Sequence, residues 1–210
     1  MTLAEILVSA GITVSVMGAA LGVADTARRT FQLLPEAADV EQRARAGLDA
    51  LARDLVMAGA GRHHGSADRC LDDVSIWPVG PDAISILYRP RGQTSVVTRT
   101  YFLFEDPQTH VSELTREDES LTRLPVADHI VNLQFSYFAD GSTPIDPAFF
   151  DDGPWCSTGG TDDEAFDVDL TTIRRVRVTL RVEAALDSVR GVIPDRTFEL
   201  DVSPRNLTLQ

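Results

Sequence analysis

A chain of 210 residues with 43% hydrophobic and 24% charged residues has the composition of a folded protein, neither disordered nor collagen-like, and is long enough for one ordinary domain with an extension. Its formal net charge of −13 and pI of about 4.6 argue against a nucleic-acid-binding face, which needs clustered cations to neutralise phosphates. All 19 basic residues are Arg, a compositional habit that carries no functional weight.

The chain opens "MTLAEILVSAGITVSVMGAALGVAD". After Glu5 come 19 residues without a charge, Ile6 to Ala24, close to the roughly 20 needed to cross a bilayer as a helix. Gly11, Gly18 and Gly22, with Ser9, Thr13 and Ser15, are interspersed; small residues suit close helix–helix contact in lipid or in a tight bundle. A secretory signal peptide would begin with a basic segment, and here the start carries an acid. A buried core helix would be shorter. A plain membrane anchor explains the length but not Glu5. A carboxylate at the edge of an apolar helix is costly to bury unless paired, and the nearest available cation is the α-amino group of a neighbouring copy.

These residues resemble the mature N-terminus of type IV pilins and type II secretion pseudopilins. Thr2, Leu3, Glu5, Leu7 and Val8 stand where that family has them; Met1 stands where it usually has Phe. The resemblance implies that Met1 is the first residue left by a prepilin peptidase and is then N-methylated. It implies that Thr2, Leu3 and Glu5 take part in assembly, with Glu5 neutralising the amine of another copy. It also implies an inner-membrane location before assembly and a periplasmic or extracellular filament afterwards, with other pilin subunits as partners.

Helical periodicity continues past the apolar run. Val40, Ala44, Leu48, Leu51, Leu55 and Ala58 recur at spacings of three and four, which predicts one apolar stripe. Glu41, Arg43, Arg45, Asp49, Arg53 and Asp54 are expected on the other, solvated face. Pro35 is expected to kink or locally break the helix, and "MAGAGRHHG", with Gly59, Gly61 and Gly65, to stop it. A helix over 3–58 is roughly 80 Å long at 1.5 Å per residue, more than a small domain can cover. Its first half must project and bury itself elsewhere, in lipid or in a bundle of like helices.

From Val74 onward the period becomes two. "VSIWP", "AISILYRP", "SVVTRTYFLF", "VSELTR", "IVNLQFSYF", "TIRRVRVTLRVEA" and "RTFELDVS" are predicted strands. Val176, Val178, Leu180 and Val182 share one face, and Arg175, Arg177, Thr179 and Arg181 the other. The apolar face needs a cover, and the 40–58 stripe is the natural one. The expectation is an α+β fold, a long kinked helix whose C-terminal half packs on an antiparallel sheet. Its divisions are a filament-core or transmembrane half at 1–34, an amphipathic half at 35–60 and a β globular part at 61–210.

Several stretches here are similar to PilW-type minor pilins and J-class pseudopilins: "ARAGLDALARDLVMAGAG", "VADHIVNLQFSYFADG", "IRRVRVTLRVEA" and the closing "RTFELDVSPRN" with Arg205 and Asn206. The resemblance implies a minor subunit at or near the filament tip; a main filament subunit is the alternative within the family.

An acidic loop at about 139–170 carries no Lys or Arg and is punctuated by Gly and Pro. Hard cations want several carboxylate oxygens on flexible loops, so Asp151, Asp152, Asp162 and Asp163 are candidate calcium ligands, although their spacing is not that of an EF-hand. A solvated acidic loop is the plainer reading. Phe149, Phe150 and Trp155 within it mark a possible contact. Cys70 and Cys156 are a candidate disulfide if the domain is extracytoplasmic and free thiols otherwise; closing that loop is worth roughly 4 kcal/mol in the chain-entropy model. His63 and His64 read as an exposed loop pair without metal-ligand spacing. With no nucleophile elbow, phosphate loop or Cys–His pair in the sequence, the expectation is a structural protein and not an enzyme, with no cofactor other than that calcium. A membrane-anchored binding module built on the acidic loop is the alternative outside the family.

Overall fold

The computed structural model describes residues 2–61, 76–80, 82–146, 173–186 and 192–204. The N-terminal half of the first element stands apart from the other described residues. Helix α1 spans Leu3–Met57, 55 residues in one element, about 82 Å at 1.5 Å per residue. It runs through Pro35 without interruption, so the expected local break is not there. The proline lacks the N–H that would bond the Phe31 carbonyl, and the turns on either side carry the helix across. The helix ends where glycines permit a left-handed backbone. Gly59 (φ 75°) and Gly61 (φ 67°) follow, the Gly59 N–H donates to the Leu87 carbonyl at 2.9 Å, and the Arg89 N–H donates to the Ala60 carbonyl at 2.7 Å. A Cβ on Gly61 would lie 2.4 Å from the Arg89 carbonyl oxygen, so this junction accepts only glycine.

Among the described residues eight strands follow: β1 (Ile76–Gly80), β2 (Ala83–Tyr88), β3 (Val97–Glu105), β4 (Ser112–Asp118), β5 (Arg123–Asp128), β6 (Ile130–Phe138), β7 (Arg175–Val182) and β8 (Arg196–Val202). They form two antiparallel sheets, not the single sheet expected, in the orders β1-β2-β3-β4-β5 and β6-β7-β8. One residue, His129 at φ 56°, separates β5 from β6 and passes the chain from one sheet to the other. Its carbonyl accepts the Glu183 N–H at 3.0 Å, which ties that corner to the end of β7. Strand β5 is missing from the sequence-predicted set because Pro125 sits inside it. A proline demotes a strand to the sheet edge, and the edge is where β5 lies.

The C-terminal half of α1 contacts β2, β5, β7 and β8. Val40, Ala44, Leu51, Leu55 and Ala58 are fully buried, against Val176, Val178, Leu180 and Val182 of β7 and against Ile84, Ile86, Tyr101 and Leu114 of the larger sheet. The alternation expected of β7 is present, since its four apolar residues are buried and Arg175, Arg177, Thr179 and Arg181 are not. At Gly47 a Cβ would meet Leu114 Cδ2 at 3.1 Å and Leu180 Cδ2 at 3.4 Å. This glycine therefore lets one helix seat on both sheets at once. The architecture is α+β, a long N-terminal helix with antiparallel sheets on its second half, consistent with a pilin-like fold.

Candidate functional site

The described side chains from Thr2 to Phe31 are exposed without exception. Leu3, Leu7, Val14, Leu21 and Val23 are among them, and Phe31 reaches 78% where Val40, nine residues on, is at 0%. About 43 Å of helix is thus uncovered. Isolated apolar side chains are normal on a surface, but a continuous run of this size marks a region that meets lipid or protein. The segment qualifies as a membrane span by length and composition, and none of its most apolar window is buried.

Its Ser and Thr hydroxyls beyond the first turn are already satisfied within the helix. The hydroxyls of Thr13, Ser15, Thr26 and Thr30 donate to the carbonyls four residues earlier, at 2.8, 2.9, 2.9 and 3.0 Å, and Ser9 donates to Ile6 at 2.9 Å. Hydroxyls bonded in this way carry little penalty in an apolar medium. Beyond the adjoining residues and the helix's own backbone, no heavy atom lies within 4 Å of where a Cβ on Gly11, Gly18 or Gly22 would stand. Gly18 and Gly22, four residues apart, leave the backbone open to close approach by a second helix.

Glu5 has a partner inside its own chain. Its carboxylate accepts the Thr2 N–H at 2.8 Å while the Thr2 hydroxyl accepts the Glu5 N–H at 3.4 Å. The two residues form a reciprocal capping box on the N-terminus of α1, satisfying two donors that a helix start otherwise leaves open. The negative charge also lies at the positive end of the helix dipole. The pattern Thr-x-x-Glu before an apolar run was the available sequence signal for this cap, and the intermolecular reading of Glu5 passed it over. Of the expected assembly residues, Thr2, Leu3 and Glu5 therefore lie together on the first turn.

At the other end of the helix, Asp54 corrects an expectation. Placed on the solvated face by its spacing, it is 3% exposed. Arg99 of β3 donates to both its oxygens at 2.8 and 3.0 Å, and the Tyr101 hydroxyl donates at 2.6 Å. Arg99 also stacks over the Tyr88 ring at 5.6 Å. Burial, and then the hydrogen bond to Asp54, push the Tyr101 hydroxyl well above its ordinary range. A buried carboxylate is tolerated where such donors satisfy it. Glu36, 4% exposed, is a second buried acid that the helical spacing did not reveal.

Met1, Cys70, Cys156, His63, His64, Asp151, Asp152, Asp162 and Asp163 lie outside the described residues, as do Arg205 and Asn206. Among the described residues no three His, Cys, Asp or Glu side chains converge on a metal-sized site.

The fold and the exposed helix define an α+β protein with, among the described residues, one helix long and apolar enough to cross a membrane. No protein-family model matches the chain, and no curated protein matches it.

Proposed function

We propose that this protein is a structural subunit of a type IV pilus-like or type II secretion pseudopilus filament, held in the inner membrane before assembly, and within that class a minor subunit. The observation that carries the reading is the division of α1: a fully exposed apolar half, and a second half buried against two sheets. The pilin-like N-terminal motif supports it. In the assembled bundle the apolar half exchanges lipid for like helices. Glu5 there exchanges its bond to Thr2 for the amine of a neighbour, and a misregistered subunit leaves the carboxylate's charge in the apolar bundle without a cation, at a cost of several kcal/mol. The chemistry is that of assembly, with no reaction catalysed.

The test is Glu5→Ala in the native cells, following the protein into sheared filaments. The expected result is a folded globular part and loss of incorporation; normal incorporation overturns the proposal. Copy number in the same filaments separates a minor from a main subunit. The capping box favours one other reading, a membrane-anchored module, because it gives Glu5 a task that needs no second copy. The mass of the N-terminal peptide distinguishes the two. A methylated Met1 cut from a leader supports the pilin reading, and an unmodified translation start supports the anchor.

A further inference from the structure

The helix changes character within a few residues of Pro35. Phe31 and Leu34 are open to solvent, while Leu33 and Ala37 pack against Ala184 and Ile193 of the β7–β8 connection. Glu36, immediately after the proline, is buried. Its Oε1 accepts the Ala185 N–H at 2.5 Å and an Arg43 Nη1–H at 3.4 Å. Arg43 in turn reaches Asp128, at the end of β5, through Nε at 3.0 Å. Arg196, opening β8, donates to Glu41 at 2.5 Å. Three chain segments drawn from both sheets therefore grip one stretch of helix, 36–43, directly beyond the turn in which the Phe31 carbonyl lacks its helical donor.

We infer that Glu36 is a latch. It fastens Ala185, just beyond β7, to α1 so that bending of the projecting half at the proline is confined to residues 31–35 and does not reach the helix–sheet core. A surface ion pair such as Arg196 with Glu41 is too solvated to do this alone. A buried carboxylate bonded to a backbone amide resists removal far more strongly, because losing it strands the amide. The apolar stripe from Val40 to Ala58 holds the helix on the sheets, but it begins four residues beyond Glu36, farther from the bend. The latch sits between the two. The inference stands on this geometry and does not rest on the filament reading.

Hydrogen exchange with mass spectrometry on the full-length chain in detergent micelles tests it. In Glu36→Ala, amides 31–41 are expected to exchange at least about tenfold faster, while 44–57 and β7 keep their protection. Glu36→Gln keeps an acceptor oxygen for the Ala185 N–H and is expected to stay close to the parent. Adding Pro35→Ala to Glu36→Ala returns a donor to the Phe31 carbonyl and is expected to recover protection at 31–35. A rise spread evenly over α1 and the sheets would make Glu36 an ordinary brace of the core and overturn the latch. So would no rise at all, and failure of Pro35→Ala to recover protection would overturn the hinge.

Discussion

Tyr101 and Asp54 illustrate how much a single pair of residues contributes where the helix meets the larger sheet. Tyr101→Phe removes the 2.6 Å donor to a buried carboxylate but leaves Arg99 in place. The expected cost is about 2 kcal/mol, read as a melting temperature lower by about 4–8 °C. The same tyrosine makes stability depend on alkaline pH. Its hydroxyl and that of Tyr137, which burial alone raises, sit above the ordinary value of 10.0 in the folded chain. Between the unfolded and folded values the unfolded chain holds fewer protons, so the stabilisation is complete below about pH 10 and is lost as pH rises. Melting temperatures measured from pH 8 to 11 should stay level and then fall above 10, and Tyr101→Phe should reduce that fall. A curve that is level throughout, or a substitution without effect on it, would contradict the account.

Gly47 carries the corresponding prediction for the elements it brings together. Helix α1 reaches both sheets there because no side chain intervenes, with Leu114 and Leu180 within 3.4 Å of a Cβ position. Gly47→Leu adds four carbons to a filled space and should destabilise by about 1–3 kcal/mol despite the better helix propensity of leucine, measured by denaturant titration. Sequence periodicity located this packing well. The stripe predicted from Val40 to Ala58 is the buried one, and β7 turns its predicted face inward. Seven of the eight strands were legible by alternation. The eighth, β5, was hidden by Pro125. The split into two sheets was hidden because it turns on one residue, His129, whose left-handed backbone leaves no mark in hydrophobic pattern. Asp54 departs from its expected solvated face for a related reason, and the same effect buries Glu36. Spacing assigns a charge to a face, but a donor arriving from Tyr101 or from the Ala185 amide overrides that assignment, and those donors lie far away in sequence. Thr-x-x-Glu is the sequence mark of the capping box, and the apolar run after it is what points Glu5 toward a partner on another chain instead.

For the whole molecule, the separation of the two halves of α1 yields the most direct prediction. From Thr2 to Ala24 the side-chain hydrogen bonds of the described residues close within the helix itself, and the core begins only at Leu33 and Glu36. The first 24 residues therefore add nothing to the stability of the β part and, among the described residues, carry most of the exposed large apolar side chains. A chain beginning at Asp25 should dissolve without detergent and keep the strand signature in circular dichroism. It should melt within about 2 °C of the full chain in micelles, since no contact of the core has been removed. The full chain should instead need detergent or lipid, because a water-exposed run of this length associates. A fall of more than about 5 °C in the shortened chain would show that the projecting half supports the fold. The division of labour along α1, on which the assembly reading depends, would then be lost.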